Sequence, residues 1–279
     1  MIVTRFAPSP TGHLHLGHAY SALLACQRAR QQGGHFLLRL EDIDNTRCRP
    51  EYIDDLLEDL QWLGIDWDGP VLKQSGRMQA YQAALDALRG MGLLYPCFCT
   101  RRDILAEVGA SGSAPQGIDG PVYPGICRGL SSAEAEHRIS SGVPYAWRLD
   151  MTAAMEQSGT LGWTDELGGP QVCNAEQAGD VVLGRKDIGT SYHLAVTVDD
   201  TFQNVSLVIR GQDLFQATHI HRLLQALLGL PTPVYHHHHL LTDSQGRRLA
   251  KRDRSATLRN MRQSGLSASD VRRMAGLDE

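Results

Sequence analysis

The sequence predicts an α/β fold, a doubly wound parallel sheet carrying an inserted subdomain and a short helical C-terminal appendage. Short apolar runs alternate with helical stretches through residues 1–96, and the alternation returns after Asp180. Between them, residues 97–179 are richer in Gly, Ser and Pro, and their elements are shorter.

Met1–Phe6 reads as a buried strand, ended by Ala7-Pro8-Ser9-Pro10-Thr11-Gly12, a loop too Pro-rich to continue it. A helix follows from about Gly17 to Gln32, with Ala19, Leu23, Leu24 and Cys26 apolar, and Gly33-Gly34 closes it. His35–Leu40 is a second strand. Pro50 suits the first turn of a helix whose Ile53, Leu56, Leu57, Leu60 and Leu63 share one face. Ser75 is expected to cap a helix from Gly76 to about Gly90. In the insertion, Ser131-x-x-Glu134 has the form of a capping box. Strands are expected at Val181–Leu183, Leu194–Val198 and Val205–Ile209, then a helix from Leu214 to Leu228. The tail after Leu241 is basic and helical, with Ser255 and Ser267 as N-caps. Residues 1–96 and 180–241 would form the nucleotide-binding domain, 97–179 the insertion and 242–279 the appendage, with right-handed crossovers between parallel strands. A nucleotide belongs outside the strand carboxyl ends, where the strand order reverses.

The chain has 279 residues, 42% hydrophobic and 21% charged, with formal net charge -4. These values exclude disordered and collagen-like chains. No apolar run reaches the ~18 residues of a membrane span, and MIVTRFAPSP lacks the pattern of a signal peptide. A soluble cytoplasmic protein with reduced cysteines is expected. Charge is uneven. Glu41, Asp42, Asp44, Glu51, Asp54, Asp55, Glu58, Asp59, Asp66 and Asp68 face only Arg47 and Arg49 over residues 41–68. The helix they occupy reads as a solvated face. Over residues 247–273, nine bases stand against Asp253 and Asp270. That end fits a polyphosphate or nucleic-acid partner, or else a solvated face.

His15-Leu16-Gly17-His18 lies where the first loop enters the first helix. Backbone N–H groups there suit a phosphate, Gly17 allows close approach, and two imidazoles can donate hydrogen bonds. The bland alternative is a pair of satisfied structural histidines. Cys97-x-Cys99 and Tyr123-x-x-x-Cys127 offer three thiolates and a fourth donor, Tyr123 or water, for one tetrahedral structural zinc; three ordinary buried thiols are the alternative. Cys26, Cys48 and Cys173 read as core or loop residues. His236–His239 is expected to end a strand near the nucleotide.

Residues 5–18, RFAPSPTGHLHLGH, resemble the opening of glutamyl-type class I aminoacyl-tRNA synthetases. The resemblance continues through Glu41-Asp42-Ile43-Asp44 with Thr46-Arg47, Tyr192-His193-Leu194-Ala195, Val198-Asp199-Asp200, Val208-Ile209-Arg210-Gly211 and Arg248-Leu249-Ala250-Lys251-Arg252. It implies a Rossmann-type class I catalytic domain that activates an amino acid with ATP and Mg²⁺. His15, Gly17, His18 and Lys251 would bind ATP, with His15, His18 and Lys251 stabilising the transferring phosphate. Arg5, Ala7, Ser9, Glu41, Tyr192 and Arg210 would bind L-glutamate. Guanidinium forks suit its two carboxylates and Glu41 its ammonium, although Arg5 and Glu41 could instead pair with each other. Members with this insertion also carry the zinc.

Two positions depart from the family pattern. Arg-Leu-Ala-Lys-Arg stands where Lys-Met-Ser-Lys-Ser is usual, keeping the central lysine as Lys251, one of only three lysines in the chain. Val196 stands where an Asn is expected near the amino acid. Only 28 residues follow Lys251, too few for an anticodon-binding domain. In this the chain is similar to the truncated branch of the family, the glutamyl-queuosine tRNA(Asp) synthetases. That resemblance implies a monomer transferring glutamate to queuosine in the anticodon stem-loop of tRNA(Asp), with the basic tail on phosphates. The alternatives are a truncated glutamyl-tRNA synthetase charging tRNA(Glu), a non-catalytic RNA-binding or regulatory paralogue, and a small nucleotidyltransferase sharing only the first motif.

Overall fold

A computed structural model describes residues 1–110, 116–117, 120–241 and 257–277. β1 (Val3–Phe6) runs into the Pro-rich loop, and α1 (Leu16–Gln31) packs Ala19, Ala22 and Leu23 inward. The Gly33-Gly34 pair ends α1 for two reasons. Gly33 takes a φ of 59°, and a Cβ on Gly34 would fall 2.2 Å from the Ile2 carbonyl oxygen. β2 (His35–Leu40) then lies parallel to β1, with Val3 opposite His35.

α2 (Pro50–Trp62) starts on its proline and buries Leu56 and Leu60. β3 (Leu72–Lys73) pairs parallel with β2. α3 (Met78–Gly90) begins later than Ser75, after a 3-10 turn over Gln74–Arg77. The Ser75 hydroxyl donates to Asp42 at 2.7 Å, so it does not cap the helix.

β4 (Leu94–Cys97), α4 (Arg101–Ala110), β5 (Gln116–Gly117), β6 (Gly120–Pro121), α5 (Ser132–Ser140) and β7 (Ala146–Leu149) follow. Ser131 Oγ accepts from the Glu134 N–H at 3.2 Å, while the Glu134 carboxylate turns to Arg138, so the expected capping box is half made. α6 (Met151–Ser158) leads to the antiparallel hairpin β8 (Gly162–Asp165) and β9 (Gly169–Val172). β10 (Val182–Gly184) joins β7 and β4 in an antiparallel sheet.

α7 (Tyr192–Phe202) replaces the strand expected at Leu194–Val198. Every residue from His193 to Thr197 is buried, as are Asp199 and Asp200. A helix buried around most of its circumference loses the apolar stripe that marks helical period, and a short Leu-Ala-Val run then reads like a strand.

β11 (Leu207–Gly211), α8 (Phe215–Leu227) and β12 (Val234–His238) complete the second parallel group, in which β12 pairs with β11 and then with β8. The two groups meet where the Ser206 N–H donates to the Val3 carbonyl at 3.0 Å. From β1 the order runs outward through β2 and β3, and from β11 through β12, β8 and β9. The order therefore reverses between β1 and β11, which is the switch point expected of a doubly wound sheet.

α9 (Leu258–Gln263) and α10 (Ala268–Met274) pack Leu258, Met261 and Val271 into the core of α1, α2, β1 and β2. Ser267 caps α10 in a capping box with Asp270; Thr257 caps α9, and Ser255 lies outside the described residues. The acidic helix α2 is not merely a solvated face. Arg259 bridges to Asp55 at 2.8 Å, and Arg262 reaches Glu58 and Asp59. Burial outweighs Arg262 and pushes the Asp59 carboxyl up to about 6. Part of the basic end is thus spent on this chain's own carboxylates. Among the described residues no helix is long and apolar enough to cross a membrane.

Candidate active site

His15 is the N-cap of α1, and the chain folds there by side chain to backbone bonds. The Gly17 N–H donates to His15 Nδ1 at 3.1 Å, and the His15 N–H donates to His18 Nδ1 at 3.2 Å. Both Nδ1 atoms accept, so each neutral ring carries its proton on Nε2. The rings stack with centroids 3.8 Å apart. A Cβ on Gly17 would sit 3.1 Å from His15 Cε1, so glycine gives this ring its place. A helix N-terminus beside two imidazole donors is chemistry that suits an anion.

A cavity of about 700 Å³ opens beside it, at the carboxyl ends of β1, β2, β11 and β12. Arg5, Ala7, Ser9, His15, Gly17, His18, Glu41, Tyr192 and Arg210 all line it, so the structure brings together every one of these sequence-predicted residues. Lys251 lies outside the described residues. His238, at the end of β12, also lines the cavity. Its Nδ1–H donates to the His239 carbonyl at 2.9 Å and its Nε2 meets the Ser21 hydroxyl at 2.7 Å. The His236–His239 run thus ends a strand at this cavity, as expected.

Arg5 and Glu41 do not pair with each other. Arg5 grips Asp200 through Nε at 3.0 Å and Nη2 at 3.3 Å, and Arg39 Nη1 reaches the same carboxylate at 2.8 Å. Burial would raise the Asp200 carboxyl, but the two arginines outweigh it and hold it low. Glu41 stands 3.6 Å from Arg39 Nη2, and there burial wins, pushing its carboxyl above the ordinary range. Asp200 and Arg39 carried no role in the sequence reading. A lone arginine inside the apolar strand HFLLRL is the signal for them, since a buried guanidinium requires a carboxylate partner.

Arg210, at the end of β11, is 5% exposed and has a different setting. Its nitrogens meet His237, His221, Thr218 and the Tyr192 hydroxyl, at 3.2, 3.3, 2.6 and 3.4 Å. Among the described residues no carboxylate pairs with it. Its charge therefore borders the cavity with neutral hydrogen-bond partners alone among the described residues. Burial pushes the Tyr192 hydroxyl up to about 12, so it stays a donor.

Cys97, Cys99 and Cys127 place their sulfurs within 4.8 Å of one another. The Tyr123 hydroxyl lies 3.4 Å from Cys97 Sγ and 3.5 Å from Cys99 Sγ, and it accepts from the Cys127 N–H at 2.9 Å. Three thiols and a phenol oxygen facing one point fit a tetrahedral divalent ion. Cys26 and Cys48 are partly exposed, and Cys173 is buried against the His219 carbonyl.

The family model for the catalytic domain of class I tRNA synthetases (E and Q) matches residues 1–276. A "Glutamyl-Q tRNA(Asp) synthetase" of Rhodobacter capsulatus is 50% identical over 282 aligned residues, covering 99% of this chain and 100% of the relative. A protein of the same name from Nitratidesulfovibrio vulgaris is 42% identical over 97% of this chain and 84% of its own length. Among solved structures, the glutamate tRNA ligase of Elizabethkingia meningosepticum in complex with its amino acid superposes with TM-score 0.77 at 28% identity. The match covers 95% of this chain but 53% of that ligase, so the chain spans about half its length.

Proposed function

Because the chain belongs to the glutamyl- and glutaminyl-type class I tRNA synthetases, a family of ligases, we propose that it activates L-glutamate with ATP and transfers the glutamyl group to queuosine in tRNA(Asp). The observation that carries the first half is Arg210, a buried guanidinium with only neutral partners at the cavity wall. It suits the substrate side-chain carboxylate, with the Tyr192 hydroxyl as a second donor. Arg5 lines the same cavity as a second guanidinium, with Asp200 as its partner. Glu41, assisted by the Ser9 hydroxyl, suits the ammonium, and the backbone at Ala7 borders the nucleotide.

In the first step an oxygen of the glutamate α-carboxylate attacks the α-phosphorus of ATP. The bond to the β,γ-diphosphate breaks, and pyrophosphate leaves with its electron pair. No protein nucleophile is needed; the chain must align the reactants and stabilise the charge that develops. The Nε2–H groups of His15 and His18, with the α1 N-terminus, donate to the phosphate oxygens. Lys251 supplies a compact cation to the same charge, and Mg²⁺ arrives on the triphosphate. In the second step a queuosine hydroxyl attacks the glutamyl carbonyl carbon, AMP leaves, and the hydroxyl proton is lost. Cys97, Cys99, Cys127 and Tyr123 would hold one structural zinc, whose chemistry is that of a fixed four-way cross-link.

The names of the relatives support queuosine as the acceptor. Labelled glutamate, ATP and the chain should label tRNA(Asp) containing queuosine and leave queuosine-free tRNA(Asp) unlabelled. Label on tRNA(Glu) would establish a truncated charging enzyme instead, and no pyrophosphate exchange with glutamate or any other amino acid would favour a non-catalytic paralogue.

A further inference from the structure

The shell behind Arg210 takes no part in the steps above, yet it is built with unusual consistency. Elsewhere in the site a buried guanidinium is met by a carboxylate, as Asp200 meets Arg5. At Arg210 the corresponding positions hold two imidazoles and two hydroxyls. An acid of this shell, Asp165, is kept one ring away from Arg210. Its Oδ2 lies 2.7 Å from His237 Nδ1, while its Oδ1 accepts the N–H groups of Leu167 and Gly168 at 3.0 and 2.8 Å.

These bonds fix the protons. His237 donates from Nδ1 to Asp165 and so presents the Nε2 lone pair to Arg210 Nε. His221 accepts from Arg210 at Nδ1 and therefore carries its proton on Nε2, 3.2 Å from His193 Nδ1. Burial and the charge of Arg210 push His237 down to about 4 and His221 well below its ordinary value. The rings are neutral acceptors at neutral pH. They orient the fork without cancelling its charge.

Resting on glutamate as the substrate, we infer that His237, set by Asp165, together with His221 and Thr218, are positioning residues that aim Arg210 while leaving its charge uncompensated. This shell therefore sets the preference for a carboxylate over a carboxamide side chain. The sharpest variant is Asp165→Asn. Asp165 Oδ2 also accepts the His237 backbone N–H at 3.2 Å, so each carboxylate oxygen serves two N–H groups. An amide cannot replace both oxygens in either orientation, and the hold that sets the His237 ring against Arg210 Nε is lost.

Pyrophosphate exchange with glutamate and glutamine as competing substrates tests this. Asp165→Asn and His221→Asp should each raise the KM for glutamate by roughly tenfold or more, with kcat within about threefold. Each should lower the glutamate-over-glutamine preference by about as much. His221→Asn, which restores a neutral acceptor, should recover most of the loss, a rescue that packing alone would not produce. Parent-like KM and preference in both Asp165→Asn and His221→Asp would overturn the role. Equal losses in His221→Asp and His221→Asn would also overturn it. A parent that exchanges another amino acid and not glutamate would overturn the functional reading and the carboxylate preference together.

Discussion

Arg210 and Glu41 face the same cavity from opposite electrostatic positions. Arg210 keeps a charge that its neighbours do not neutralise, whereas burial works against the charge of Glu41. An ammonium beside Glu41 would favour its ionised form, so binding lowers its pKa and is linked to proton release. Glutamate should therefore bind well above the raised pKa of Glu41 and progressively less well as pH falls through it. Glu41→Gln should raise the KM for glutamate by roughly tenfold or more and abolish this part of the pH dependence. Titrating KM against pH in parent and variant checks both; a Glu41→Gln profile parallel to the parent's would remove Glu41 from ammonium binding. Arg5, Ala7, Ser9, His15, Gly17, His18, Glu41, Tyr192 and Arg210 were legible because the matching motifs name them. The roles of Asp200, Arg39, Asp165 and His237 were not, although Asp200 lies in a matching motif and His237 in the histidine run, since they act from inside strands and a buried helix and through other side chains.

At the scale of elements, the clearest case is the entry to α1. The sequence marks a loop meeting a helix at His15-Leu16-Gly17-His18, and the structure explains why glycine stands third. The His15 ring folds back onto the Gly17 N–H, in space that a Cβ would crowd at 3.1 Å. Gly17→Ala should strengthen the helix by up to about 1 kcal/mol, since alanine is the better helix former. It should also displace His15 and slow exchange by roughly a hundredfold, the lower end of the loss expected when one transition-state donor is removed. Thermal unfolding beside exchange kinetics separates these effects. Undiminished exchange would mean that the His15 geometry is not used. The strands flanking this entry were legible from apolar runs and prolines. α7 was not, because its burial hides the period. The docking of α9 on α2 was also hidden, because Arg259–Asp55 and Arg262–Asp59 join residues about two hundred positions apart.

Across the whole molecule, apolar packing is uneven. One core joins α1, α2, β1 and β2 to the C-terminal helices, and a second joins α3, α6, α7 and α8. The third is small. Among the described residues, Cys97, Tyr123 and Cys127 are the ones buried in it, with Tyr95, Phe98, Cys99, Ile104 and Leu130 against them. So little apolar surface does not hold a fold alone, and in the proposed reading the metal supplies what packing lacks. The cavity, by contrast, is walled by residues of the two larger parts and of the α1 entry. Activation and transfer should therefore separate when the metal is lost. Metal analysis should find about one zinc per chain, falling to a small fraction in Cys127→Ser, in keeping with a site of three thiolates. Limited proteolysis should then cut the variant faster than the parent within residues 94–108 and 120–130. Glutamate-dependent pyrophosphate exchange should persist within a fewfold of the parent, because Arg210, Glu41 and the α1 terminus rest on other packing. Transfer to tRNA should fall much further if the small subdomain contacts the RNA. Full zinc in Cys127→Ser would remove this residue from the ligand set. Exchange and transfer lost in equal proportion would mean that the third cluster supports the cavity itself.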